Sequence, residues 1–132
     1  MSKSAIYVAN TGNQTLDVNS QISLGSILRK FGCNLDLNGN GIVLSGSGYY
    51  EFEVSVTATP TAAGEVFVTM YKDGTQVAGA TASDYNTAGN PVNVSLSALV
   101  REVCCDSSSV ITFVYGGSAG TVNNIAVVAK KI

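Results

Sequence analysis

An all-β sandwich of the jelly-roll class, with eight to ten antiparallel strands, is the fold this sequence predicts. Three observations predict it. The first is the stretch Gly48 to Pro60, GYYEFEVSVTATP, which alternates strictly. Tyr50, Phe52, Val54, Val56 and Ala58 fall on one side, and Tyr49, Glu51, Glu53, Ser55 and Thr57 on the other. A period of two marks a strand with one face buried and one face wet. The β-branched and aromatic residues that fill it suit a pleated surface. The second observation is that turn signals recur about every ten residues, as in sandwiches and jelly rolls. The third is that no stretch carries a convincing helical period. No other segment is as long or as regular as Gly48 to Pro60, so it is expected to be the central strand.

The remaining elements follow in order. SAIYVAN, residues 4–10, reads as a first strand, and Thr11-Gly12-Asn13 turns the chain. Residues 15–22 alternate weakly, with Leu16, Val18 and Ile22 toward one side. Residues 24–31 read either as one helical turn or as an irregular strand. Asn-Gly pairs at 38–39 and 40–41 make a turn region, and residues 41–44 form a short apolar strand after it. In EVFVTMYK, residues 65–72, Val66, Val68 and Met70 oppose Phe67, Thr69 and Tyr71. Asp73-Gly74 is a hairpin signal, and residues 75–82 return. Residues 83–89 read as a polar loop, 91–99 as a strand and 101–109 as a second polar corner. In the strand 110–115, Ile111, Phe113 and Tyr115 oppose Val110, Thr112 and Val114. Residues 122–132 close the chain, with Ile125, Val127 and Ala129 on one side.

Composition narrows the classes of function. A chain of 132 residues fits one domain, and that size buries roughly two-thirds of its unfolded surface without a metal or disulfide staple. The domain is read as spanning 1–132, with an N-terminal docking arm at 1–14 as an option. Charged residues make up only 12%, and the net charge is -2. So weak a field steers the chain to neither nucleic acid nor an anionic membrane. With 45% apolar residues, it suggests that some surface is hidden in an oligomer. There is no histidine, the commonest general acid/base and metal ligand. No apolar run reaches membrane-spanning length, and the first ten residues hold no signal-peptide h-region. The chain therefore reads as complete from Met1, soluble and made in a cytoplasm, from which lysis or particle assembly would release it.

Four stretches carry a family resemblance, together covering about Gly41 to Ile132. They are GYYEFEVSVTA, VFVTMYKDGTQV, SLSALVREVCCDSSSVITFVYGG and VNNIAVVAKKI. They resemble the Gly-x-Tyr-x-Phe strand, the Asp-Gly hairpin, the strand-corner-strand and the final strand of one jelly-roll head. That head is shared by tumour necrosis factor and the globular domain of the first complement component. Bacterial and phage relatives cap fibres and spore-surface filaments. The corner departs from the pattern, with Cys104-Cys105-Asp106 where Ala-Gly-Asp is usual, and no collagen stalk is present. The resemblance implies a homotrimer packed about a threefold axis.

Candidate chemistry is sparse. Asp36, Asn38 and Asn40 match the first half of a calcium loop, but the twelfth position, which needs Glu, is Ser47. An ordinary Asn/Gly turn is the competing reading. Glu51 and Glu53 share a strand face with Cβ atoms roughly 7 Å apart, a spacing comparable to that of glycosidase acids, though a solvated or interface face explains them as well. Cys33, Cys104 and Cys105 are an odd set without a histidine to activate a thiolate. They read as small buried hydrophobes, with a disulfide involving Cys33 or a link between subunits as alternatives. No cofactor and no catalytic residue is expected.

The functional expectation is a non-enzymatic surface protein of a particle, a virion head-decoration protein or fibre head acting as a homotrimer. Its location would be the particle surface, and its partners would be itself and a capsid or fibre protein. The alternative is a head that binds a glycan or host receptor through loop 83–89, on a bacterial surface or spore filament. The expected trimer contacts are the apolar residues opposite or beside core positions: Tyr49, Phe67, Tyr71, Val110, Val114 and Tyr115.

Overall fold

The computed structural model describes residues 3–103 and 108–132. Among them are twelve strands and no helix. The strands are β1 (Ala5–Asn10), β2 (Gln14–Leu16), β3 (Ser20–Gln21), β4 (Ser26–Phe31), β5 (Leu35–Asn38) and β6 (Gly41–Ser45), followed by β7 (Gly48–Pro60), β8 (Gly64–Lys72), β9 (Thr75–Asn86), β10 (Val92–Glu102), β11 (Ser108–Gly117) and β12 (Gly120–Lys131). All pairings are antiparallel. The first sheet runs β10-β7-β12-β1-β4, with β2 beside β12. The second runs β5-β6-β11-β8-β9, with β3 beside β11. From β7 onward the chain changes sheet after every one or two strands, so the core lies between two layers.

The alternation predicted for residues 48–60 holds: Tyr50, Phe52, Val54, Val56 and Ala58 are all buried. From the second sheet Val66, Val68, Met70, Ile111, Phe113 and Tyr115 meet them in one core. Two phenols lie inside this core with their hydroxyls satisfied by turns. Tyr50 donates to the carbonyls of Ser45 and Gly46, at 3.0 and 2.8 Å, and Tyr115 donates to Ser118 O at 2.5 Å. Burial pushes both phenols above their ordinary pKa, with Glu102 and then Cys33 adding to the shift at Tyr50. The Asp73-Gly74 turn has both residues at positive φ, 50° and 81°, as a two-residue primed hairpin turn requires. It also docks on β11, because Asp73 Oδ1 accepts from Val110 N at 2.9 Å.

Several expectations are corrected. β7 is the longest strand but not the central one: it lies between β10 and β12, and β12 occupies the middle of the sheet. Residues 5–10 are no free arm. β1 is paired on both sides, to β12 and β4, and Ile6 and Val8 are in the core. Residues 26–31 form a strand rather than a helical turn, although every side chain in it is exposed. The polar stretch 83–86 continues β9, paired to β8 through Asn86. Val18 is exposed while Ile22 is buried, so residues 15–22 do not share one face. Cys33 is exposed rather than buried, and its neighbour Asn34 takes the inner place where the chain crosses between sheets. Ser4 Oγ donates to Asn34 Oδ1 at 3.0 Å, and Asn34 Nδ2 donates to Ser45 O at 2.6 Å. An amide that is nearly fully buried needs such partners. Cys104, Cys105 and Asp106 lie outside the described residues.

Candidate assembly face

Cross-strand partners share a sheet face, so the registers fix what the first sheet shows to the outside. One outward row reads Arg29, Tyr7, Val128, Glu53, Ser97. Beside it runs Phe31, Ala5, Lys130, Glu51, Leu99. On the other side runs Ser26, Ala9, Ala126, Ser55, Ser95. Tyr49 and Arg101 face each other at one end. The row Ser26, Ala9, Ala126, Ser55, Ser95 is therefore all Ala and Ser, small enough for another backbone to approach closely. Six large apolar side chains stand on or beside the same face: Ile132 66% exposed, Phe31 61%, Leu99 58%, Tyr49 48%, Val128 39% and Tyr7 36%. A shallow groove of about 530 Å³ runs between Tyr7, Val128, Ala126, Ser55, Ser95 and Ser97.

The polar groups of this face are largely occupied. Asn93 Nδ2 donates to Ser55 Oγ and Thr57 Oγ1, both at 3.1 Å. Lys130 pairs with Glu51 at 3.2 Å. The guanidinium of Arg101 lies 5.9 Å from the centre of the Tyr49 ring, within cation-π range. Glu51, half of the glycosidase-like pair, is thus held by a lysine of its own sheet.

The other expected contact residues lie elsewhere. Phe67, Tyr71, Val110 and Val114 are on the outward face of the second sheet, the opposite side of the sandwich from Tyr49. Phe67 and Tyr71 are half-buried in place; Phe67 lies over Gly116, its cross-strand partner. Tyr115 belongs to the core and is corrected as a contact residue: it is fully buried, on the same side of β11 as Ile111 and Phe113. Tyr7, Phe31, Leu99 and Val128, which the sequence reading did not name, stand on the face of Tyr49. The sequence signal for Tyr7 and Val128 was present in the alternation of 4–10 and 122–132, but only pairing shows that they share a face with Phe31 and Leu99.

The calcium candidates form a hairpin instead. Asp36 and Asn38 are on β5, and Asn40 is in the turn to β6. The Asp36 carboxylate accepts from Leu37 N at 2.9 Å and pairs with Lys30 at 3.2 Å. These contacts, the backbone bond first, hold its pKa below the ordinary carboxylate value. Among the described residues no three His, Cys, Asp or Glu side chains gather as metal ligands, and no helix is long and apolar enough to cross a membrane.

No family model matches the chain, and no curated protein matches its sequence. Solved structures do match in shape. Murine APRIL superposes with a TM-score of 0.73 at 10% identity, covering 99% of this chain and 100% of that one. The globular domain of zebrafish complement 1qA gives 0.66 at 11% identity, covering 97% and 95%. The PRD1 vertex protein P5 gives 0.60 at 16% identity, covering 98% and 96%. Two antiparallel sheets in this order, matched over nearly the whole chain, make the fold the jelly roll shared by tumour necrosis factor-like proteins, complement globular domains and the phage PRD1 vertex protein.

Proposed function

We propose that the chain is a non-enzymatic structural protein of a particle surface, a virion head-decoration protein or fibre head, and that it works as a homotrimer. The observation that carries the reading is the outward face of the β10-β7-β12-β1-β4 sheet. Six large apolar side chains beside a row of Ala and Ser are costly to leave in water on a chain with 12% charge. A stable joint buries about 800 Å² on each partner, which a five-stranded face supplies. Cyclic symmetry closes such a surface without leaving a growing end. This reading prefers Tyr7, Leu99 and Val128, on the face of Tyr49, over Phe67 and Tyr71, which are half-buried on the opposite sheet. The likeness to a vertex protein of PRD1 supports a place on a virion, and a sequence without histidine, with no gathered set of acids among the described residues, is in keeping with a role without catalysis.

Two measurements test this. Leu99→Glu and Val128→Glu should dissociate the assembly, whereas Phe67→Glu should leave it intact; assembly lost only through Phe67 would overturn the face assignment. A tagged copy expressed in the source cells should sediment with assembled particles on a density gradient. Particles that form and sediment without it would overturn the virion role.

A further inference from the structure

The outward face of the first sheet carries five charged side chains: Arg29, Lys130, Glu51, Glu53 and Arg101. Three are engaged within the chain. Lys130 and Glu51 pair with each other, and Arg101 lies over Tyr49. Among the described residues Arg29 and Glu53 have no partner of opposite charge; the Arg29 guanidinium donates to the adjacent carbonyl of Leu28, at 2.9 Å. They stand in one row, Arg29 on the edge strand β4 and Glu53 on β7, with Tyr7 and Val128 between them. Three strand spacings of about 4.8 Å put them roughly 14 Å apart, too far to pair within one copy.

We propose that copies of this chain join head to tail, with Arg29 of one copy meeting Glu53 of the next. This rests on the self-association reading above and adds the polarity of the joint. Burying either charge alone is strongly unfavourable, and burying them together satisfies both. The neighbouring row agrees independently. Phe31 stands beside Arg29 on β4, and Leu99 stands beyond Glu53 on the opposite edge strand. In the joint that brings Arg29 to Glu53, Phe31 is set to meet Leu99; with Ile132, these are the most exposed apolar side chains of the face. Charge and apolar complementarity thus fit the same joint, and the mixing experiment below separates the head-to-tail ring from a twofold pair.

Charge reversal tests the proposal, with mass read by light scattering over a dilution series. Arg29→Glu and Glu53→Arg should each weaken assembly about ten-fold or more, and the double variant should restore it. Asp84→Lys, on β9 of the other sheet, should change nothing. Both positions are exposed, so circular dichroism should show each variant folded. In a 1:1 mixture of the two single variants, a three-membered ring always keeps at least one like-charge joint, so mixing should restore assembly only in part. Four results overturn the pairing while leaving self-association intact: single variants that assemble like the parent, a double variant that stays dissociated, an equal loss from Asp84→Lys, or a mixture fully restored at dimer mass. A parent chain that is monomeric throughout would instead overturn the self-association reading.

Discussion

Replacing Phe52 by alanine tests the face assignment on which the whole account depends. Phe52 is fully buried, and its cross-strand partners on both sides are alanines, Ala98 and Ala129. Side chains that small cannot swing in to fill the space a phenyl ring leaves. The cost should therefore sit high in the range of about 3–5 kcal/mol observed for such truncations. Unfolding entropy of about 2.1 cal/mol/K per residue gives roughly 0.28 kcal/mol/K for this chain, so the melting temperature should fall by roughly 11–18 °C. Glu51 is the neighbour pointing the other way, held only by the Lys130 pair, in which both side chains are more than a third exposed. Its replacement by alanine loses at most about 1 kcal/mol through that pair. Both variants should be scanned by calorimetry at one concentration, because assembly makes melting concentration-dependent. Equal shifts for the two would show that the buried and outward faces of β7 have been assigned wrongly.

Three further outcomes are expected. In an ultraviolet titration of the six tyrosines, Tyr50 and Tyr115 should ionise last, since burial raises both. Their folded pKa lies above the unfolded value near 10, so the stability they contribute is complete below pH 10 and is lost as pH rises through the folded values; tyrosines that all titrate together in the folded chain would contradict this. Gly117→Ala should destabilise strongly, because its φ is 90° and a Cβ there would collide with the carbonyl of Glu65, and a variant that melts like the parent would refute that geometry. Cys33 should react with a thiol reagent in the folded protein, as an exposed free cysteine does, and protection of that thiol would place it in a contact or a disulfide.

How much of this was legible in the sequence depended on whether the deciding neighbour was near or far along the chain. The alternation of 48–60 and the Asp73-Gly74 turn are local, and both read through correctly. The strand at 26–31 was obscured because both of its faces are exposed, so its side chains alternate in nothing. Phe67 looked like a free aromatic, yet it rests over Gly116, a partner brought in by sheet pairing from far along the chain. Polar residues 83–86 read as loop because an edge strand has no need of apolar side chains on its wet side. The proposed assembly face is the clearest case. Tyr7, Val128 and Leu99 come from three strands spread over the whole chain, and only their register joins them.

The central claim is that this face joins copies into a closed ring of three. Multi-angle light scattering on the purified chain at low micromolar concentration tests it most directly. The account predicts a mass three times the 13.6 kDa of one chain, falling toward a single chain when Leu99 is replaced by glutamate. A folded monomer of 13.6 kDa across that concentration range would contradict it.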